Sequence, residues 1–300
     1  MDASAGHRRD HDAPPTARTT MSPIRPTSPA GAWPAWAIAG LALVLSAAAL
    51  ADDLVVPGSG NPEYVLGQLA RAFNARQQRH RVIVPPSSGT AGAIRDVGEN
   101  LSSLGRVGRP LKDDEKAKGL GYLPIGREPV VVVAGAGVDV KAITSAQVAD
   151  IYAGRITNWR ELGGRSAPIR AIGREKTDAS RLALERIVLP LKEVSFPGTI
   201  KVVHLDPQLI ALLDRYPTSL GFLNRSALAA CTTKVVPLIL DGVEPTPANV
   251  ASGRYAAVLE FGLIHGPGGP GNAGRAFIEF IRSAEGKNIL HQHGVSPVGD

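Results

Sequence analysis

Four residues, Ser87-Ser88-Gly89-Thr90, lie between an apolar run, Arg81-Val82-Ile83-Val84, and a stretch in which Ile94, Val97 and Leu101 recur three or four residues apart. The first pattern predicts a strand and the second a helix. A strand that turns through hydroxyls and a glycine into a helix leaves backbone N–H groups pointing out of the helix start. With hydroxyls beside them, those groups make an anion site. The same residues also suit an ordinary helix N-cap, for which Ser and Thr are preferred. Two further stretches repeat the design. Leu54-Val55-Val56 runs into Gly58-Ser59-Gly60, followed at helical spacing by Tyr64, Leu66, Leu69, Ala70 and Phe73. Residues 169–174 form an apolar run that leads into Glu175-Lys176-Thr177-Asp178-Ala179-Ser180 and a helix predicted over 181–188.

Repeated strand–turn–helix units point to an α/β fold with βαβ organisation and a largely parallel sheet. Ligands on such sheets collect at the carboxyl ends of the strands. The other strands expected are 122–125, 129–134, 200–203, 220–223, 234–240 and 254–261. Val130-Val131-Val132-Val133 is apolar throughout, as a strand buried on both faces would be. Helices are expected from Thr144 or Ser145 to Tyr152, ended by Gly154, and over 208–213 and 276–289. A charged run over 112–118 reads as a solvated helix face, and 266–274 as a Gly/Pro loop.

Composition narrows the function classes. The 300 residues are 44% hydrophobic and 20% charged, which suits about two globular domains with a real core. Aromatic residues make up 5%, and the net charge of +6 is spread along the chain, so neither base-stacking platforms nor a nucleic-acid stripe is expected. Cys231 is the one cysteine, so no internal disulfide can form. Residues 1–31 lack an apolar period, and Met21 is a second candidate start. Residues 32–51 are almost wholly apolar, follow arginines at 8, 9, 18 and 25, and end in Ala49-Leu50-Ala51. That pattern predicts a secretory signal peptide cleaved after Ala51, the alternative being an uncleaved anchor. No Gly-x-Ser-x-Gly elbow, nucleotide-binding P-loop or His-Glu-x-x-His helix is present. His291-Gln292-His293 reads as exposed surface rather than a metal site.

The stretch Ile151-Tyr152-Ala153-Gly154-Arg155-Ile156-Thr157-Asn158-Trp159-Arg160-Glu161-Leu162-Gly163-Gly164 adds a more specific signal. Asp241-Gly242 with the later Pro-Thr pair, and residues 280–286, join it. Together these segments resemble the phosphate-binding proteins of bacterial phosphate ABC importers, which are type II periplasmic binding proteins, over about 54–297. The resemblance implies two α/β lobes around a ligand cleft, joined by two crossover hinge strands. The first lobe would hold 53–132 and 236–300, the second 133–235, with crossings near Val132 and Val236.

The resemblance also implies a site. Gly58, Ser59 and Gly60 match the family's first Gly-Ser-Gly turn, and Ser88, Gly89 and Thr90 its second turn. Arg174 matches an arginine at the end of a second-lobe strand. Thr177, Asp178 and Ser180 stand where the family has Ser-Gly-Thr, and Gly108 where a Ser is common. Helix N-termini and the hydroxyls of Ser59, Ser88, Thr90, Thr177 and Ser180 would face an oxyanion, and Arg174 would add a charge-assisted contact. Arg174 could instead pair with Glu175 or Glu161. Asp178 is either the N-cap of its own helix or an acceptor for a proton on the ligand, repelling an anion that carries none. Arg109 either reaches the site or caps a loop. The expectation is a periplasmic monomer without cofactor or metal and without catalysis. It would bind phosphate or a similar oxyanion and deliver it to the membrane subunits of an ABC importer. The rival readings are a sensor or interaction module of the same fold and a secreted phosphoester hydrolase.

Overall fold

A computed structural model describes residues 52–298. The signal-peptide expectation lies outside the described residues. In chain order the strands and helices are β1 (Asp52–Val55), α1 (Glu63–Arg76), β2 (His80–Ile83), α2 (Gly89–Gly98), β3 (Gly105–Val107), α3 (Asp113–Lys116), β4 (Gly121–Ala134), β5 (Ala142–Ile143), α4 (Ser145–Tyr152), β6 (Arg170–Arg174), α5 (Ala179–Leu184), β7 (Lys201–Val203), α6 (Asp206–Arg215), β8 (Ser219–Asn224), β9 (Val236–Pro237), β10 (Ile239–Leu240), α7 (Pro247–Ala251), β11 (Val258–His265), α8 (Gly271–Arg282), α9 (Ala284–Gln292) and β12 (Ser296–Pro297).

The principal sheet is built on β4. Residues 121–129 of β4 pair antiparallel with β11, and residues 130–134 pair antiparallel with β8. One strand therefore changes partner at Pro129 and Val130, where the sequence had suggested two strands. The order through the sheet is β3-β11-β4-β8-β6-β7. The parallel pairings are β6 with β7 and with β8, β1 with β2, and β5 with β10. The largely parallel sheet is thus corrected to a mixed one. Strand–turn–helix units do give parallel pairs, but the strands flanking β4 on both sides return antiparallel to it. Val130, Val131, Val132 and Val133 are fully buried, as their unbroken apolar run requires.

Near Val236 the chain stays on the β8 end of β4. β9 pairs with Val133 and Ala134, and β10 pairs with β5. It reaches the other end only at Val258, opposite Pro129, where Val130 N donates to Ala257 O (2.7 Å). The helices cover both ends. α1 buries Leu66, Leu69, Ala70 and Phe73 of the expected stripe, with Val65 in place of Tyr64, and Phe73 meets Phe277 edge-on at 5.5 Å. The helix expected over 276–289 is two helices broken at Ser283, whose Oγ donates to Phe280 O (2.6 Å) and accepts from Gly286 N (3.2 Å). The strand expected over 254–261 begins at Val258, four residues later.

The Ile151–Gly164 segment is structural. Thr144 caps α4, accepting from Gln147 N (3.1 Å). Trp159 is buried and its Nε1 donates to Thr218 O (2.9 Å). None of 151–164 lines the cleft described next.

Candidate functional site

One wall begins at the turn after β1. Gly58 has φ +137°, and a Cβ there would lie 2.0 Å from Arg106 O, so the turn needs a glycine to lie this close to β3. Ser59 N donates to that same carbonyl (2.9 Å). Arg106 is fully buried and holds the wall together. Its Nε donates to Ser59 O (2.8 Å), its Nη2 to Pro85 O (2.7 Å) and Glu63 Oε2 (3.2 Å), and its Nη1 to Val56 O. A planar fork of five donors can serve so many acceptors where a lysine could not. One side chain thus ties the Gly58-Ser59-Gly60 turn to the loop after β2.

That second loop leads into α2. Ser88 holds the N-cap position, but its hydroxyl makes no capping bond. Ser87 does the local work instead: its Oγ donates to Gly58 O (3.2 Å) and accepts from Gly89 N (3.2 Å). The amides of Thr90 and Ala91 belong to the first helical turn and have no partner within the helix. Thr90 faces Gly108, whose N donates weakly to Thr90 Oγ1 (3.5 Å). A side chain at Gly108 would crowd Ser59 Oγ and Asn61 Oδ1 at under 3 Å, so Asn61 fills the place a serine would take.

The opposite wall is a buried charge cluster at the end of β6. Arg174 Nη1 donates to Asp206 Oδ1, and Nη2 donates to Asp178 Oδ2 (2.6 Å) and His204 O (3.2 Å). All three charged side chains are over nine-tenths buried. Burial would lower Arg174, but the two carboxylates outweigh it and hold it above its ordinary value. Burial pushes Asp178 up, and the Arg174 charge only partly opposes this. Asp178 also caps α5, its Oδ1 accepting from Arg181 N (2.9 Å). Of the two expected roles of Asp178, the N-cap is present, and the same side chain also pairs with Arg174. The expected partners of Arg174, Glu175 and Glu161, are replaced by Asp178 and Asp206. Among the described residues Arg174 Nε and Asp206 Oδ2 are buried without a hydrogen-bond partner. Arg109 forks onto Glu115 with two 2.7 Å bonds, holding that carboxyl down at about 2, and it also lines the cleft described below.

The walls touch. Asn61 Nδ2 donates to Ser180 Oγ (2.8 Å), and Ser59 Oγ donates to Asn61 Oδ1 (3.3 Å). Asn224 Nδ2, at the end of β8, reaches Asn61 O (2.9 Å), Ser226 Oγ (2.9 Å) and Glu128 Oε1 (3.1 Å). Glu128 sits on β4 just before the partner switch, accepts from Ser226 N (2.7 Å) and is fully buried. Burial pushes its carboxyl up to about 7.

Between the walls lies a cleft of about 940 Å³. Ser59, Gly60, Gly89, Thr90, Arg174, Thr177 and Asp178 line it; Gly58, Ser88 and Ser180 do not. Gly58 is buried under Arg106, Ser88 is exposed, and Ser180 is buried against Asn61. Lys112 and Lys176 add positive charge to the lining. Asn61, Arg106 and Asp206 were not singled out from sequence, whereas Ser87 belonged to the stretch that was. The signals present were the polar residues adjoining the Gly-Ser-Gly and Ser-Gly-Thr turns, and the Asp-Pro pair that opens α6.

The PBP superfamily domain matches residues 44–285. The phosphate-binding protein PstS of Bacillus subtilis is 27% identical over 221 residues, 71% of this chain and 70% of its own. PstS of Borreliella burgdorferi is 20% identical over 80% of this chain and 88% of its own. A substrate-binding protein from Clostridium perfringens, solved with bound phosphate, superposes with a TM-score of 0.72 at 28% identity, over 83% of this chain and all of that one. With more than two-thirds of its length matched by one domain and the same fold in its solved relatives, the chain belongs to the PBP superfamily.

Proposed function

We propose that this protein is a secreted receptor that binds phosphate in the cleft and delivers it to an ABC importer. The observation that carries the reading is the pair of hydroxyl-rich turns, Ser59-Gly60 and Gly89-Thr90, brought to one cleft wall by Arg106. First-turn amides of α2 and the Thr90 hydroxyl offer donors to a tetrahedral oxyanion. The relatives support the ligand: the curated ones are phosphate-binding proteins and the Clostridium perfringens structure holds phosphate. We place the lobe crossings at Pro129–Val130 and Ala257–Val258, which moves the second from near Val236 to where the chain passes onto β11. The first lobe then holds 52–129 and 258–298, the second 130–257. Hinge motion there would open and close the cleft, and release needs only a difference in affinity between the two states. No catalytic group is required. No helix among the described residues is long and apolar enough to cross a membrane. Export by the segment at 32–51, a monomeric state and docking to importer membrane subunits complete the reading.

Calorimetric titration with phosphate, arsenate, sulfate and molybdate tests it. Phosphate is expected to bind without turnover of a generic phosphoester, and Thr90→Val to weaken binding about tenfold through one lost hydrogen bond. A folded protein that binds none of the four anions sinks the proposal.

A further inference from the structure

Asn224 faces more acceptors than its amide can serve. Its Nδ2 carries two hydrogens, yet Asn61 O (2.9 Å), Ser226 Oγ (2.9 Å) and Glu128 Oε1 (3.1 Å) all lie within reach. Its Oδ1 is buried without a partner. The three acceptors come from both sides of the partner change in β4. Glu128 precedes Pro129 and Val130, Ser226 follows Asn224 at the end of β8, and Asn61 belongs to the wall that donates to Ser180 Oγ across the cleft (2.8 Å). With the walls in contact, Asn61 O takes one hydrogen, and Ser226 Oγ and Glu128 Oε1 compete for the other. Glu128 is fully buried and keeps Ser226, through its backbone N–H (2.7 Å) and its hydroxyl. No cation answers it. Arg127 is next in the strand and so points to the opposite face, where it pairs with Glu260 (2.8 Å). Arg106 pairs with Glu63 (3.2 Å), Arg181 with Glu185 (2.7 Å) and Arg174 with Asp178 (2.6 Å), while Arg225 packs on Gly294. Asp206, the charged group that does act on Glu128, is negative. α7, β9 and β12, which also pack on β4, carry no charge.

Resting on the phosphate reading of the cleft and on the lobe division given with it, we propose that Glu128 links phosphate binding to protons: closure of the lobes on phosphate draws a proton onto its carboxyl, and opening releases it. Opening parts Asn61 from Asn224 and returns an amide hydrogen to Glu128 Oε1. Closing withdraws that donor and shuts out water, which favours the neutral acid. Glu128 does not line the cleft, so it responds to the angle between the lobes and not to the ligand itself. Burial holds its carboxyl up at about 7 with the walls in contact, which places the exchange near neutral pH. The closed form holds the proton. Rising pH through this range therefore favours the open form and weakens phosphate binding, beyond any effect of the ligand's own titration.

Titration calorimetry of inorganic phosphate, in buffers of differing ionisation enthalpy, counts the protons taken up on binding. The protons of phosphate itself contribute equally to wild type and Glu128→Gln, so the difference between the two belongs to Glu128. The wild type should take up an additional fraction of a proton at pH ~7, and its affinity should fall severalfold more than that of Glu128→Gln between pH ~6 and pH ~8. Infrared difference spectra at pH ~7, with and without phosphate, should show the wild type gaining a protonated-carboxyl band that Glu128→Gln does not gain. If the variant does not fold, that band in the wild type decides. Equal proton uptake and equal pH dependence in the two proteins, or no such band in the wild type, overturns this inference alone. Absence of phosphate binding to folded wild-type protein overturns the phosphate reading as well.

Discussion

Asp178 and Glu128 are the two buried carboxylates whose environments are most fully defined, and they separate by partner. Asp178 has an arginine and a helix start; Glu128 has the Asn224 amide and Ser226, and no cation. Asp178→Asn keeps a good N-cap but leaves Arg174 with one carboxylate, whereas Asp178→Ala removes the cap too. In urea denaturation both variants should lose stability, and alanine should lose about 1 kcal/mol more than asparagine. Equal losses would mean that the cap contributes nothing. Glu128 has a defined pH dependence. Its carboxyl is raised from the usual 4.5 to about 7, so between these values the folded state holds the proton that the unfolded state has lost. Stability from this group is therefore complete below pH ~4.5 and falls as pH rises to ~7, by about 3 kcal/mol. Glu128→Gln should flatten that part of the stability-versus-pH curve, measured as the difference from wild type. Unchanged curves would place Glu128 in a wetter setting than its burial implies. The residues that position the site were only partly legible in sequence. Asp178 could be suspected because it lies four residues from Arg174. Asp206 could not, because its contact depends on the parallel register of β6 and β7, which sets Arg174 against Val203 and so brings the start of α6 alongside. Arg106 reads in sequence as one more arginine; only its burial beneath two turns reveals its role.

At the scale of elements, the strand–turn–helix units were legible because their apolar periods change from two to three or four at each turn. Where the reading failed, the periodicity was silent about partners. An unbroken apolar run says that a strand is buried on both faces, but not that it exchanges one neighbour for another, as β4 does. The break between α8 and α9 was missed because the apolar period continues across it through Phe277, Phe280, Ile281 and Ile289; only Ser283 marks the stop. Ser283→Ala removes both the bond to Phe280 O and the acceptor for Gly286 N. It should cost about 1 kcal/mol in thermal or chemical denaturation, with fraying confined to the start of α9 in hydrogen exchange. A loss below a few tenths would show that packing alone sets the break.

At the scale of the molecule, the two ends of the sheet share β4 and are stitched by the Glu128–Asn224–Asn61–Ser180 thread. The largest core cluster runs through both ends, with a smaller one beside it at each. Far-UV circular dichroism and the fluorescence of buried Trp159 should therefore report coincident unfolding midpoints. Two resolved transitions would show that the thread couples the ends weakly. β4 also has a mechanical meaning. At about 3.3 Å per residue its fourteen residues form a bar of roughly 46 Å. Pro124 and Pro129 have no N–H to give to the ladder, and the register with β11 slips at Phe261/Gly262 opposite Ile125, so the bar has two weakly pinned sections. Torque applied at either end gathers at these sections, and the bar behaves less as a girder than as a torsion spring with its compliance concentrated at two notches, the second of them at the change of partner.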